Sequence, residues 1–164
     1  MSNSIIVFEK KLPGLSSRAI AGFALKACRA AGLRGDISVL ITGNSSMRRL
    51  NSRFRGKSRR TDVLSFPVAS AKGLAGDIAI SLDIAERNAR LLGHPVADEI
   101  RILILHGILH LAGYDHETDK GEMAKKEIVL RRRLGLPTSL IERTREATRK
   151  TSARSGRTMA RSSI

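Results

Sequence analysis

The stretch PVADEIRILILHGILHLAGYDH, residues 95–116, decides how the rest of the chain is read. From residue 96 to 112 apolar side chains occupy almost every face of a 3.6-residue period, so the segment reads as a helix buried on all sides. Pro95 suits the first turn of such a helix, and Gly113 stops it. A helix of this kind needs partners all round it, so the remaining segments are expected to form its shell.

Upstream, residues 4–8, 35–42, 62–68 and 77–81 read as strands. Pro67 confines the end of the third to an edge or a bulge, and AKGLAG reads as the turn of a hairpin joining the last two. Residues 15–31, with Ser16 or Ser17 as cap and Gly32 as stop, read as an amphipathic helix. A short helix over residues 44–54 leads into the basic loop RFRGKSRR, and another over residues 81–92 starts at Ser81 or Asp83 and ends at Gly93. The last helix is expected over residues 117–134, with Arg131, Arg132 and Arg133 at its carboxyl end.

The 164 residues suit one domain with a proper core. Residues 1–142 are expected to form it. Residues 143–164, rich in Ser, Thr and Arg, are expected to be a basic disordered tail. The single Cys28 lies in an apolar run and points to no disulfide. No apolar run approaches the roughly 18 residues of a membrane span, so a cytoplasmic protein with no membrane partner is expected.

Charge is the strongest global signal, with 30 Lys and Arg against 15 Asp and Glu. Residues 143–164 carry seven basic groups and one acid, so most of the +15 belongs to residues 1–142. Such a field favours a polyanion, nucleic acid or an acidic membrane face. With one Tyr and four Phe, a stacking platform for single strands has little to build on.

Three of the four histidines fall within residues 106–116. His106 and His110 are one helical turn apart and project from one face, within reach of a single ion. The bend at Gly113 brings His116 toward the same point. Three imidazoles with no cysteine nearby suit a divalent metal, zinc above all, with a coordination position left open for catalysis. Asp115 or Glu117 would close the site as a fourth ligand. Asp115 is instead expected to accept a hydrogen bond from a ligand imidazole. His94, before Pro95, reads as an ordinary surface histidine. The histidine and glycine spacing equals that of zinc proteases carrying HExxHxxGxxH, but their general base is replaced by Gly107, which cannot take a proton.

HGILHLAGYDH resembles the signature HGxLHLxGYDH of the YbeY endoribonucleases, bacterial rRNA maturation factors. NSRFRGKSRRTDVLSFP, residues 51–67, and GDIAIS, residues 76–81, resemble two further segments of that family in the same order and spacing. The resemblance covers roughly residues 5–135. It implies an α+β fold, a small mixed β-sheet packed against helices with the histidine helix central, as in zincins. It implies one zinc per chain on His106, His110 and His116, with Arg55 and His116 as catalytic residues.

The activity so implied is metal-dependent cleavage of single-stranded RNA in 16S rRNA 3′ end maturation and ribosome quality control, with rRNA and the small ribosomal subunit as partners. The alternative is a ribosome-associated assembly factor whose metal is structural. Arg55 suits a bidentate phosphate clamp, and the rest of RFRGKSRR suits flanking phosphates. Ser65 and Thr61 are candidates either for substrate hydrogen bonds or for structural roles, and Phe54, Phe66 and Tyr114 for packing, with Tyr114 a candidate to stack on a base. No general base is evident, and the nucleophile, a 2′-hydroxyl or a water, stays open. Oligomeric state is not legible.

Overall fold

The computed structural model describes residues 4–55, 63–67 and 74–138, leaving the expected tail and most of the basic loop outside the described residues. Its elements run β1 (Ser4–Phe8), α1 (Ser17–Ala31), β2 (Asp36–Thr42), α2 (Asn44–Arg55), β3 (Val63–Pro67), β4 (Leu74–Ser81), α3 (Leu82–Leu92), α4 (Val96–Leu111) and α5 (Glu122–Arg133). The order is that expected of an α+β chain.

The four strands form one mixed sheet in the order β1-β2-β4-β3. β1 and β4 flank β2 in parallel, and β3 pairs antiparallel with β4 through Val63 opposite Ile80 and Phe66 opposite Asp77. Alternation along the strands separates two faces. Ile37, Val39 and Ile41 of β2, with Ile78 and Ile80 of β4, join the main core with α1 and α4. Leu64 and Ala79, on the alternate positions, pack with Met47 of α2 in a smaller cluster on the other face.

The helix boundaries follow from local chemistry. The Ser16 side chain accepts the Ala19 N–H at 3.1 Å to cap α1, and Gly32 ends it in a left-handed conformation. Ser81 caps α3 by accepting the Ile84 N–H at 3.2 Å, and it also donates to Asn44 Oδ1 at 2.7 Å. Asp83 accepts the Asn44 N–H at 2.9 Å, so the starts of α2 and α3 are tied together.

α4 is the central element, packed on α1, α3, α5, β3 and β4. Ile100, Ile104, Leu105, Ile108 and Leu109 are fully buried. This is the reason its sequence is apolar on nearly every face.

Two boundaries differ from expectation by three residues or more. β4 begins at Leu74, three residues before the expected start. Leu74 pairs with Asp36 and Gly76 with Ile37, so Ala75 is the extra residue of a bulge. Gly76 is there for close approach, since a Cβ would lie 2.5 Å from the Phe66 carbonyl oxygen and 2.6 Å from Leu111. Likewise α5 begins at Glu122, not at residue 117. The Asp115 carboxylate accepts the Glu117 N–H at 3.0 Å, and Asp119 accepts those of Gly121 and Met123 at 2.8 and 2.9 Å. These side chains hold the backbone in turns and postpone the helix.

Candidate metal centre

His106 and His110 lie on the last two turns of α4, where its buried run gives way to a half-buried face. The helix then closes through two bonds, Tyr114 N–H to the Leu109 carbonyl at 3.0 Å and Gly113 N–H to the His110 carbonyl at 3.0 Å. Gly113 adopts φ 101°, a conformation that favours glycine. The reversal returns His116 to the two helical histidines.

The ring centroids are 4.8 Å apart for His106 and His110, 5.2 Å for His106 and His116, and 5.0 Å for His110 and His116. One nitrogen of each ring falls within 4.8 Å of the others. The Nε2 atoms of His106 and His110 are 3.2 Å apart. Two nitrogens each about 2.0–2.1 Å from a tetrahedral zinc stand roughly 3.3 Å apart, so this pair already has the separation such an ion demands.

The opposite edges of the same two rings are held. His106 Nδ1 donates to Glu127 Oε1 of α5 at 3.0 Å, and His110 Nδ1 donates to the Tyr114 carbonyl at 3.1 Å. With Nδ1 carrying the proton, each Nε2 presents a lone pair to the shared point, the arrangement a metal requires of neutral imidazole. Burial, followed by the neighbouring His106 and His116, lowers the His110 pKa and favours its neutral form. Burial resists the charge of Glu127. Even so, the hydrogen bond from His106 and then the Arg131 charge hold its carboxyl below the usual glutamate range. Arg131 Nη2 reaches Glu127 Oε2 at 3.3 Å. The donor set and its supports therefore fit a divalent metal.

Gly107 faces the sheet. A Cβ there would stand 2.9 Å from Ile78 Cγ2 and 3.1 Å from Ser65 Oγ. The glutamate of the zinc proteases is thus kept out by sheet packing as well as being chemically absent. Ser65 Oγ donates to the Gly107 carbonyl at 3.2 Å, which makes it a tie between β3 and α4.

Two expectations are corrected. Asp115 does not orient an imidazole: its Oδ1 accepts the Glu117 N–H, and the Nδ1 atoms of His106 and His110 go to Glu127 and the Tyr114 carbonyl instead. Glu127 takes that part. The signal for it was available, since Met123, Glu127 and Leu130 share one helical stripe of which Met123 and Leu130 are buried, and an acid among them needs a partner. His94 is not on the surface, its side chain being only 5% exposed against Glu99. Pro95 turns the chain so that His94 folds back over the first turn of α4, where Asn88 also donates to Glu99 at 3.3 Å.

Tyr114 contributes its carbonyl, and its ring packs against the core. Phe66 packs beside the Met47 cluster. Arg55 is the last residue of α2, but its side chain, that of Phe54 and all of Thr61 lie outside the described residues. Among the described residues no carboxylate joins the three nitrogens, neither Asp115 nor Glu117.

Residues 9–135, which hold the whole histidine site, match the family model described as Endoribonuclease YbeY. The chain belongs to the YbeY family. It is 54% identical over 153 residues to the Endoribonuclease YbeY of Koribacter versatilis, covering 93% of this chain and all of that one. The Solibacter usitatus relative of the same description is 48% identical over 140 residues, 85% of this chain and 94% of the other. A Thermotoga maritima protein of known solution structure superposes with a TM-score of 0.53 at 32% identity, over 76% of this chain and 83% of that one. The α+β fold is therefore that of a solved YbeY-like structure. Among the described residues no helix is long and apolar enough to cross a membrane.

Proposed function

We propose that this chain is a zinc-dependent endoribonuclease that cuts single-stranded RNA in 16S rRNA 3′ end maturation and ribosome quality control. The observation that carries the reading is the convergence of His106, His110 and His116 in a chain of the YbeY family. One zinc per chain is assigned to these three nitrogens. A zinc held there supplies a water made acidic near neutral pH and a cation that polarises a phosphoryl oxygen.

The residues of the chain do the rest. Glu127 and the Tyr114 carbonyl fix the tautomers of His106 and His110, so no proton occupies the metal-facing edge. Gly107 and Ser65 hold α4 hard against the sheet, which keeps the pair of helical histidines at one distance. Arg55 is assigned the scissile phosphate and the basic residues after it the flanking ones, a role that suits a guanidinium's fork of donors. The net charge of +15 draws RNA to the site. rRNA within the small ribosomal subunit is the proposed partner, and the cytoplasm the proposed compartment. Residues 1–142 are assigned to the nuclease domain and residues 143–164 to a basic tail.

The test is cleavage of an end-labelled 16S rRNA 3′ fragment by the wild type and by His110→Ala and Arg55→Ala, purified in parallel with metal content measured on the same samples. The wild type should cut and both folded variants fail, with the product ends naming the nucleophile. Equal cutting by all three would overturn the assignment. Cutting by none would favour an assembly factor with a structural metal.

A further inference from the structure

A second surface of the molecule has no part in the metal centre. α1 packs beside α4 and α5, and between them runs a groove of about 410 Å³ lined by Arg18, Gly22, Phe23 and Lys26 of α1, Arg101 of α4 and Arg133 of α5. Among the described residues no carboxylate lines it. Arg101 is bonded to Asp98 at 3.3 Å, whereas no ion pair between described residues involves Arg18, Lys26 or Arg133. All three of these are exposed.

Gly22 gives the groove its meaning. Arg18, Gly22 and Lys26 are spaced i, i+4, i+8, so they stand in one row along α1. A glycine inside a helix weakens it relative to alanine, and such a residue needs a reason. Packing supplies none here, because a Cβ at Gly22 would meet nothing within 4 Å. What glycine provides is bare backbone between two cations, where a bulky ligand can come close. Arg18 and Lys26 are about 12 Å apart along the helix axis. That span covers several successive phosphates, which recur every ~3.4 Å of axis on each strand of a duplex.

We propose that the groove between α1, α4 and α5 is a second RNA-binding surface that grips phosphate backbone, with Arg18, Lys26, Arg101 and Arg133 as its cations and Gly22 as its bare floor. It rests on the nuclease reading only for the identity of the polyanion. Phe23, half-buried and alone, offers no row of stacking platforms, so the surface follows backbone and shape.

The test is equilibrium binding of a labelled rRNA hairpin to the full-length, metal-loaded protein between 50 and 200 mM salt, with a gel showing the RNA intact when read. Three variants are compared with the wild type. Arg18→Gln/Lys26→Gln/Arg133→Gln removes groove charge, and Arg34→Gln/Arg87→Gln/Arg90→Gln removes the same charge elsewhere. Gly22→Leu keeps every charge and fills the bare floor.

The groove triple should flatten the slope of log affinity against log salt by about two, since each phosphate no longer neutralised by a cation removes roughly 0.7–0.9 from the slope. Gly22→Leu should weaken binding about tenfold with no fall in thermal midpoint. Equal losses for the two triples, or RNA bound as tightly by Gly22→Leu as by the wild type, would overturn the proposal. So would displacement of the RNA by polyglutamate at equal charge, which would make the groove a site for acidic peptides. Because binding is read without turnover, a failure of the nuclease assignment would leave this result standing.

Discussion

Each end of α4 carries a histidine paired with a glutamate, and the two pairs do different things. At the amino end, His94 Nε2 meets Glu99 with both side chains 5% exposed, and Asn88 completes the carboxylate's shell. His94 Nδ1 is buried and has no hydrogen-bond partner among the described residues. At the carboxyl end, His106 meets Glu127 through Nδ1, with the side chains 27% and 16% exposed, and its Nε2 faces His110. The amino-terminal pair is sealed and ends where it begins. The carboxyl-terminal pair is one half of a relay from carboxylate to imidazole to an open point shared by three rings. A histidine–glutamate contact is therefore no sign of a reactive site by itself; the free nitrogen beyond it, and what that nitrogen faces, make the difference.

Removing a member of each pair should separate the two ends. His110→Ala leaves two of the three nitrogens, so metal content measured by mass spectrometry should drop from about one per chain to near zero. RNA cleavage should fall by on the order of 10³-fold, the scale for a group acting directly on the transition state. His94→Ala should do the reverse, leaving metal content unchanged while the stranded Glu99 carboxylate costs about 3 kcal/mol in urea unfolding. If His94→Ala lost metal, the two ends would be coupled and the comparison would fail.

Glu127→Gln sharpens the same contrast. It keeps the shape of the side chain and removes the charge that holds His106 in its tautomer, so metal affinity in a chelator competition should weaken 10–100-fold. The smallest effect is expected at Gly107. In Gly107→Ala the new Cβ must displace Ile78, which costs about 1–3 kcal/mol, partly offset by roughly 1 kcal/mol of helix propensity. Urea midpoints should show a net loss with metal still bound.

How much of this was legible depended on whether the cause was local. α4 could be read because burial on every side leaves an apolar residue at almost every position, and α1 and α3 because Ser16, Gly32, Ser81 and Gly93 mark their ends. The three histidines were legible because one helical turn and one glycine bend suffice to gather them. Where a remote partner decided the outcome, the sequence misled. Gly76 resembles a turn glycine, but it answers to the Phe66 carbonyl and Leu111. The start of α5 is the exception, a local cause that the pattern hid: the carboxylates of Asp115 and Asp119 accept N–H groups two to four residues on and hold turns where a helix is expected. Glu127 and His94 were missed because their partners lie on other elements or across a chain reversal that local pattern does not fix.

The central claim is that three imidazoles hold the ion on which cleavage depends. The most direct measurement is RNA cleavage by the intact protein after chelator stripping, followed by titration with zinc on the same sample. Activity should vanish with the metal and return in proportion to zinc up to one equivalent per chain, and His110→Ala should stay inactive throughout. A stripped protein that cuts at its original rate, or activity that returns equally in His110→Ala, would contradict the account.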